Sequence, residues 1–225
     1  MVGVGQYGAT SSVARVTVVD WSGDTLLDSY VIQKQPVTDY RTFVSGITKE
    51  DLDSAVLTLD QCRDLVSRLL YNRILVGHAL KNDLEALGIS HPWWLTRDTA
   101  TYLPFMKKRP HNTAWWPRKL KELAMEKLDR EIQVYGIPHS PIEDAKAALD
   151  LYKTVQEKWE GEIYDSVLET KKSRQQKYGA EQYAQMQYQH AVYAQFKYNR
   201  YLQSNYKPRY SRYHTHHTQR QQLVQ

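Results

Sequence analysis

The stretch that decides the reading of this chain is His139-Ser140-Pro141-Ile142-Glu143-Asp144, together with the helix that it opens. Ser140 has the side chain of an N-cap, Pro141 suits the first helical position, and Glu143 completes a Ser-x-x-Glu capping box. Behind them Ile142, Ala145, Ala148, Leu149, Tyr152, Val155 and Trp159 recur at steps of three and four. That spacing makes one apolar helix face of about five turns. Asp144 falls in the first turn and His139 lies just outside it. The turn therefore holds an imidazole and a carboxylate near each other at a helix N-terminus. On these residues alone two readings stand. They form either a catalytic pair or an ordinary cap, with an acid placed where the helix dipole favours it.

Upstream, Val76-Gly-His-Ala-Leu-Lys-Asn-Asp83 supplies a second acid. Ile74-Leu-Val-Gly77 is a short apolar run between a helix and a Gly-His turn, the pattern of a buried strand. The helix that follows carries Leu80, Leu84 and Leu87 on one face and stops at Gly88. In an α/β sheet such strand-to-helix corners gather at one edge, so Asp83 and Asp144 can converge on one site. Two carboxylates there suit a hard divalent cation such as Mg²⁺. His139 beside them can serve as a general base on a water.

The remaining elements complete an α/β pattern. Ser12 to Asp20 reads as a strand, Ser22-Gly-Asp24 as a turn, and Thr25 to Gln33 as the returning strand of a hairpin. Val37 to Gly46 reads as a loop. Thr48-x-x-Asp51 opens a short helix. Thr58 and Gln61 box the start of another that runs to about Asn72, with Leu59, Cys62, Leu65, Val66, Leu69 and Leu70 inward. Trp93 to Thr99 holds a further strand ending near Asp98, and Pro104 to Pro117 a loop with the basic run Lys107-Lys-Arg109. Leu120, Leu123, Ala124 and Leu128 mark one more helix. A hairpin followed by alternating strands and helices predicts a mixed sheet flanked by helices. That domain spans residues 1–162, and residues 163–225 form a low-complexity basic tail rich in Tyr and Gln.

Charge separates the two parts. The chain has 225 residues and a net charge of +5. From Lys171 onward ten Lys and Arg face the single acid Glu181, giving +9, so the preceding residues carry −4. The tail's basicity points to a polyanion such as nucleic acid, against the plainer reading of a solvated, disordered tail. Its tyrosines at 178, 183, 188, 193 and 198 recur every five residues, which makes neither a helical stripe nor a strand face. Interleaved with cations, they can stack on bases. The lone Cys62 excludes an internal disulfide and points to a reducing compartment. No apolar run approaches the ~20 residues of a membrane span. The N-terminus lacks the basic and apolar regions of a secretory signal.

The motifs taken together resemble the DEDDh-type 3′→5′ exonucleases, with their ribonuclease-H-like fold, and most closely the RNA exonuclease 4 branch. The matching stretches are Val37-Thr-Asp-Tyr-Arg-Thr42 with Val44-Ser-Gly-Ile47, LVGHALKNDLEAL from Leu75 to Leu87, Arg97-Asp-Thr99, and HSPIEDAKAALDLY from His139 to Tyr152. The resemblance implies that Asp83 and Asp144 are the family's third and fourth acids and His139 its general base. It implies two Mg²⁺ or Mn²⁺ ions, release of 3′-terminal nucleotides as monophosphates, and RNA as substrate, with single-stranded DNA as the alternative. It also implies a role in ribosomal RNA processing and a nuclear, nucleolar location.

One departure qualifies this. The family's first two acids form an Asp-x-Glu on the first strand, and Met1-Val2-Gly3 matches only the end of that motif. Asp20, Asp24 and Asp28 belong to the hairpin. The expectation is a chain that starts inside the first motif, with the first strand truncated and neighbouring strands unpaired. Two carboxylates offset only half of the +4 of two metal ions, so this chain is expected to be weakly active or inactive. A catalytically dead nucleic-acid-binding protein of the same fold is the alternative. His78 reads as a structural loop residue, Asp98 as a turn or strand-end residue, and Trp93, Trp94, Trp115 and Trp116 as packing or surface aromatics, with base stacking as the lesser alternative. His214, His216 and His217 read as tail residues without a specific ligand.

Overall fold

The computed structural model describes residues 1–108 and 114–179. In chain order its strands are β1 (Val2–Val4), β2 (Thr10–Ser12), β3 (Arg15–Val19), β4 (Thr25–Ile32), β5 (Val37–Asp39), β6 (Leu57–Thr58), β7 (Leu75–Gly77), β8 (Thr96–Asp98), β9 (Lys107–Lys108) and β10 (Trp115–Trp116). The α-helices are α1 (Thr42–Ser45), α2 (Lys49–Asp53), α3 (Leu59–Leu70), α4 (Leu80–Leu87), α5 (Leu120–Leu128) and α6 (Pro141–Tyr178). Residues 1–163 form one compact unit and residues 164–225 a second, of which the described part is the last stretch of α6. No helix among the described residues is long and apolar enough to cross a membrane.

The pairing is mixed, as the sequence predicts. β3 and β4 form the antiparallel hairpin, closed by Asp20, whose carboxylate accepts from the backbone N–H groups of Ser22 and Asp24, each at 2.9 Å. Asp28 is used within this hairpin, taking two bonds from the Arg15 guanidinium and one from Thr17. β4 pairs in parallel with β6, and β7 in parallel with β8. β1 sits between β2 and β5, antiparallel to both, with Gly3 and Val4 paired on each side and Val2 paired to β2. β3 and β7 each have one hydrogen-bonded neighbour among the described residues.

Helix starts follow the side chains. Both Thr48–Asp51 and Thr58–Gln61 close reciprocal capping boxes. Of the predicted inward face of α3, Cys62, Val66 and Leu70 are buried, whereas Leu65 is exposed. Ser140 caps α6, its Oγ accepting from the Glu143 N–H at 3.4 Å and its carbonyl from the Asp144 N–H at 2.9 Å. The buried stripe of α6 is wider than the sequence periodicity predicts, because Ala147 and Leu151 join Ala148, Leu149, Tyr152 and Trp159 in the core.

Three corrections follow from tertiary context. The predicted loop from Val37 to Gly46 contains β5 and α1, since β1 supplies β5 with a ladder partner. The predicted loop from Pro104 to Pro117 contains the β9–β10 pair, with Lys108 5.0 Å from the Trp115 ring. α6 continues to Tyr178, past the point where the composition shifts towards disorder. The rest of the tail lies outside the described residues.

The helix layer is locked by one buried charge. Arg97, on β8, is 1% exposed and grips Glu160 of α6 with two parallel bonds of 2.7 Å. Its remaining nitrogen donates to the carbonyls of Trp94 and Thr96, each at 3.0 Å. Tyr152 donates its hydroxyl to Glu160 at 2.7 Å. Tyr102 stacks on Trp159 at 3.9 Å, so the polar clamp is walled by aromatic rings.

Candidate active site

The corner between β7 and α4 is built by a close approach that only glycine permits. A side chain on Gly77 would collide with Leu80 in the first turn of α4. The first N–H groups of the helix need acceptors, and Asp98 provides them. Its two carboxylate oxygens accept from Ala79 at 2.8 Å and Leu80 at 2.9 Å, and it also takes the Ala100 N–H. Asp98 is thus a strand-end residue, as predicted, and one that fixes the helix carrying Asp83. Thr99 donates its hydroxyl to the Gly77 carbonyl at 3.0 Å and lies 2.9 Å from His78 Nδ1. Burial lowers the His78 pKa, which keeps the ring neutral.

Asp83 lies in the first turn of α4 and Asp144 in the first turn of α6. Both line one cavity of about 1010 Å³. Residues of β3 and β7 also line it, together with Met1, His78, Lys119 and Gln133. Burial is the main force on both acids, and it pushes each pKa above the ordinary carboxylate value. At Asp83 the nearby Met1 ammonium partly offsets this, and Asp98 adds to it. At Asp144 the offset comes from Gln133, whose Nε2 donates to Oδ1 at 3.0 Å, and from His139.

His139 stands at the rim. It is half-buried, close enough to Asp144 to act on its charge, but it does not line the cavity. Its backbone N–H donates to the Val44 carbonyl at 3.0 Å, which ties the His139 turn to α1. The structure thus gathers Asp83 and Asp144 on one wall system and leaves His139 at the edge beside Asp144. Sequence reasoning misses Gln133. It holds a left-handed backbone (φ 54°) and reaches Asp144 across eleven residues, with no motif to mark it.

Two carboxylates on one cavity, Asp144 half-buried and Asp83 exposed, each with its pKa raised above the ordinary carboxylate value, fit a divalent cation that would offset their charge. Among the described residues no group of three or more His, Cys, Asp or Glu side chains gathers as a metal-ligand set. The pair brings a charge of about −2, so these residues suit one such ion better than two.

No family model matches the chain. Individual relatives do. It is 40% identical over 163 residues to the apoptosis-enhancing nuclease of Rattus norvegicus, a match covering 72% of this chain and 48% of that protein. It is 44% identical over 153 residues to RNA exonuclease 4 of Kluyveromyces lactis, covering 68% of this chain and 50% of that protein. The chain belongs to the DEDDh exonuclease family. It spans about half the length of these curated relatives. Its mixed α/β fold is that of two solved exonuclease structures. The Pan2 catalytic unit of Neurospora crassa, a protease and nuclease domain, aligns with a TM-score of 0.57 at 30% identity, covering 71% of this chain and 26% of that one. The Saccharomyces cerevisiae Pan2 pseudoubiquitin hydrolase–RNA exonuclease module, solved with A7 RNA, aligns with a TM-score of 0.59 at 27% identity, covering 79% and 30%.

Proposed function

We propose that this chain is a 3′→5′ exonuclease of single-stranded RNA, with Asp83, Asp144 and His139 at its reacting centre. The observation that carries this reading is the convergence of Asp83 and Asp144, each in the first turn of its helix, on one cavity with His139 beside Asp144. A Mg²⁺ or Mn²⁺ ion held by the two carboxylates would polarise the scissile phosphate and ease deprotonation of a water. His139 accepts the water proton as the water oxygen bonds to phosphorus and the bond to the neighbouring 3′-oxygen breaks. That oxygen takes a proton from solvent. The products are a nucleoside 5′-monophosphate and an RNA one nucleotide shorter with a free 3′-hydroxyl. Single-stranded DNA is the alternative substrate.

With only two acids in place, the 225-residue chain is proposed to turn over slowly. The same observation favours a second reading, a fold that binds RNA without cleaving it. The +9 of residues 171–225 supports sequence-tolerant RNA binding under either reading. The family resemblance and this charge support a role in ribosomal RNA maturation and a nuclear, nucleolar location, which imaging of the tagged protein and accumulation of RNA precursors on its depletion would test. A 5′-labelled single-stranded RNA followed with and without chelator separates the two main readings. Stepwise shortening from the 3′ end that stops with chelator and with Asp144→Asn supports the enzyme. Binding without shortening at any Mg²⁺ or Mn²⁺ concentration supports the silent fold.

A further inference from the structure

The His139 side of the site carries an exposed aromatic pair that the core does not use. Phe43 on α1 is 66% exposed and Tyr135 is 91% exposed, yet their rings meet edge to face at 6.0 Å and 71°. Val44 and Ile137 beside them are also more than half exposed. An apolar surface of this kind, left in water next to a reacting centre, marks a place where a ligand is covered.

The two rings are displayed by a braced scaffold. α1 is closed at its start by Arg41, whose N–H donates to Asp39 and whose guanidinium donates to the Gly8 carbonyl at 3.1 Å. Across it Thr42, its first residue, donates to the Ile47 carbonyl at 2.7 Å and Ser45, its last, to the Tyr40 carbonyl at 2.8 Å. The segment bearing Tyr135 is held at both ends by the site itself. Gln133 bonds to Asp144, and the His139 N–H bonds to the carbonyl of Val44, the residue after Phe43. Between them Pro138 packs on Gly46, where an added side-chain carbon would come within 2.9 Å of the proline ring. Both rings are thereby kept within a few residues of the proposed base, on elements that cannot drift independently of it.

We propose that Phe43 and Tyr135 form the stacking platform for the terminal bases of the RNA 3′ end. This rests on the exonuclease reading above and names how that site takes its substrate. A nucleobase has the flat apolar face that an exposed aromatic pair accepts, and stacking is tolerant of sequence because every base has such a face. His139 follows Tyr135 by four residues and is tied to the carbonyl next to Phe43. A base seated on the rings therefore brings its phosphate towards His139 and Asp144, where hydrolysis needs it. The platform predicts a preference for an intact 3′-terminal base without a preference among adenine, cytosine, guanine and uracil beyond their stacking strength.

The experiment measures affinity of the full chain for a short single-stranded RNA, in the His139→Ala background with Mg²⁺ so that the RNA stays uncut. Each protein is tested against the intact RNA and against one with an abasic 3′-terminal nucleotide. The starting protein should bind the intact end more tightly, by about 5- to 150-fold, the range of one base-on-aromatic stack. Phe43→Leu with Tyr135→Leu, which keeps apolar volume but removes both rings, should abolish that difference while leaving the melting temperature unchanged. Phe43→Trp should preserve it. If the starting protein prefers the intact end and the double leucine variant keeps the same preference, the platform is wrong while the exonuclease reading stands. If the starting protein binds neither RNA, both fail.

Discussion

Two regions of this molecule hold charge in opposite ways, one buried around Arg97 and the other facing a cavity at Asp83 and Asp144. At Arg97 every polar atom is answered: Glu160 in a bidentate clamp, two carbonyls, and the Tyr152 hydroxyl closing on the glutamate. The guanidinium holds Glu160 below the ordinary carboxylate range, and burial with the Glu160 contact pushes Tyr152 up to about 12. At Asp83 and Asp144 the balance runs the other way, because burial dominates and raises both pKa values. A satisfied buried charge serves the fold. Asp144 is half-buried with Gln133 donating to it and His139 nearby, and Asp83 is exposed in the first turn of α4, so among the described residues neither has a clamp like that of Arg97 on Glu160.

The largest effect should come from breaking the second region chemically. In RNA cleavage assays His139→Ala should slow the rate by about 10²–10⁴-fold, the usual range for loss of a general base. Asp144→Asn should cost at least as much while leaving the fold intact. Cleavage undiminished by either change would remove these residues from the mechanism.

Breaking the first region should be structural. Arg97→Met strands Glu160 and two carbonyls. Because the Glu160 side chain is 34% exposed, water relieves part of that loss, which should fall at the low end of the range for a broken buried pair, about 3 kcal/mol. Thermal melting should fall by roughly 6–12 °C. A drop of a degree or two would mean that the clamp adds little.

A smaller effect of opposite sign sharpens the contrast. Without divalent ions, Asp144→Asn should raise the melting temperature, by about 2–4 °C, since it deletes a half-buried charge, whereas Asp83→Asn, at an exposed residue, should change it little. Adding Mg²⁺ should stabilise the parent chain and leave these variants unmoved. Destabilisation by both changes without metal would show that the acids are structural.

The smallest effect is in the pH dependence of stability. A carboxyl with a raised folded pKa adds stability below its unfolded value, and that contribution is lost as pH rises through the folded value. Asp83 and Asp144 therefore favour the fold in acid and oppose it at neutral pH. Glu160, with a lowered pKa, does the reverse: its contribution is present above its unfolded value and lost as pH falls through the folded one. Metal-free melting curves from pH 7 to pH 3 should show Glu160→Gln flattening the acid-side loss and Asp144→Asn flattening the neutral-side cost. Parallel curves for both variants would contradict the opposed shifts.

Much of this was legible in the chain because it is local. Caps act over three residues, so Ser140 and Glu143, Thr58 and Gln61, and Thr48 and Asp51 announce their helices. The strand-to-helix corner at Gly77 places Asp83, and the α6 cap places Asp144. Short strands are less legible. β5 and β9 exist because a partner strand passes beside them, and nothing in Val37–Asp39 or Lys107–Lys108 states that partner.

The sequence by itself determined the capped starts of α2, α3 and α6 and the β3–β4 hairpin, and it singled out Asp83, Asp144 and His139 as candidates, since capping, periodicity and motif spacing are properties of neighbouring residues. Only the tertiary structure decided what meets across distance. It set Arg97 on Glu160, 63 positions away. It brought Gln133 to Asp144 and stood Phe43 against Tyr135, and it left His139 at the rim of the cavity rather than on its wall. These contacts depend on how separate elements pack, which no run of neighbouring residues records.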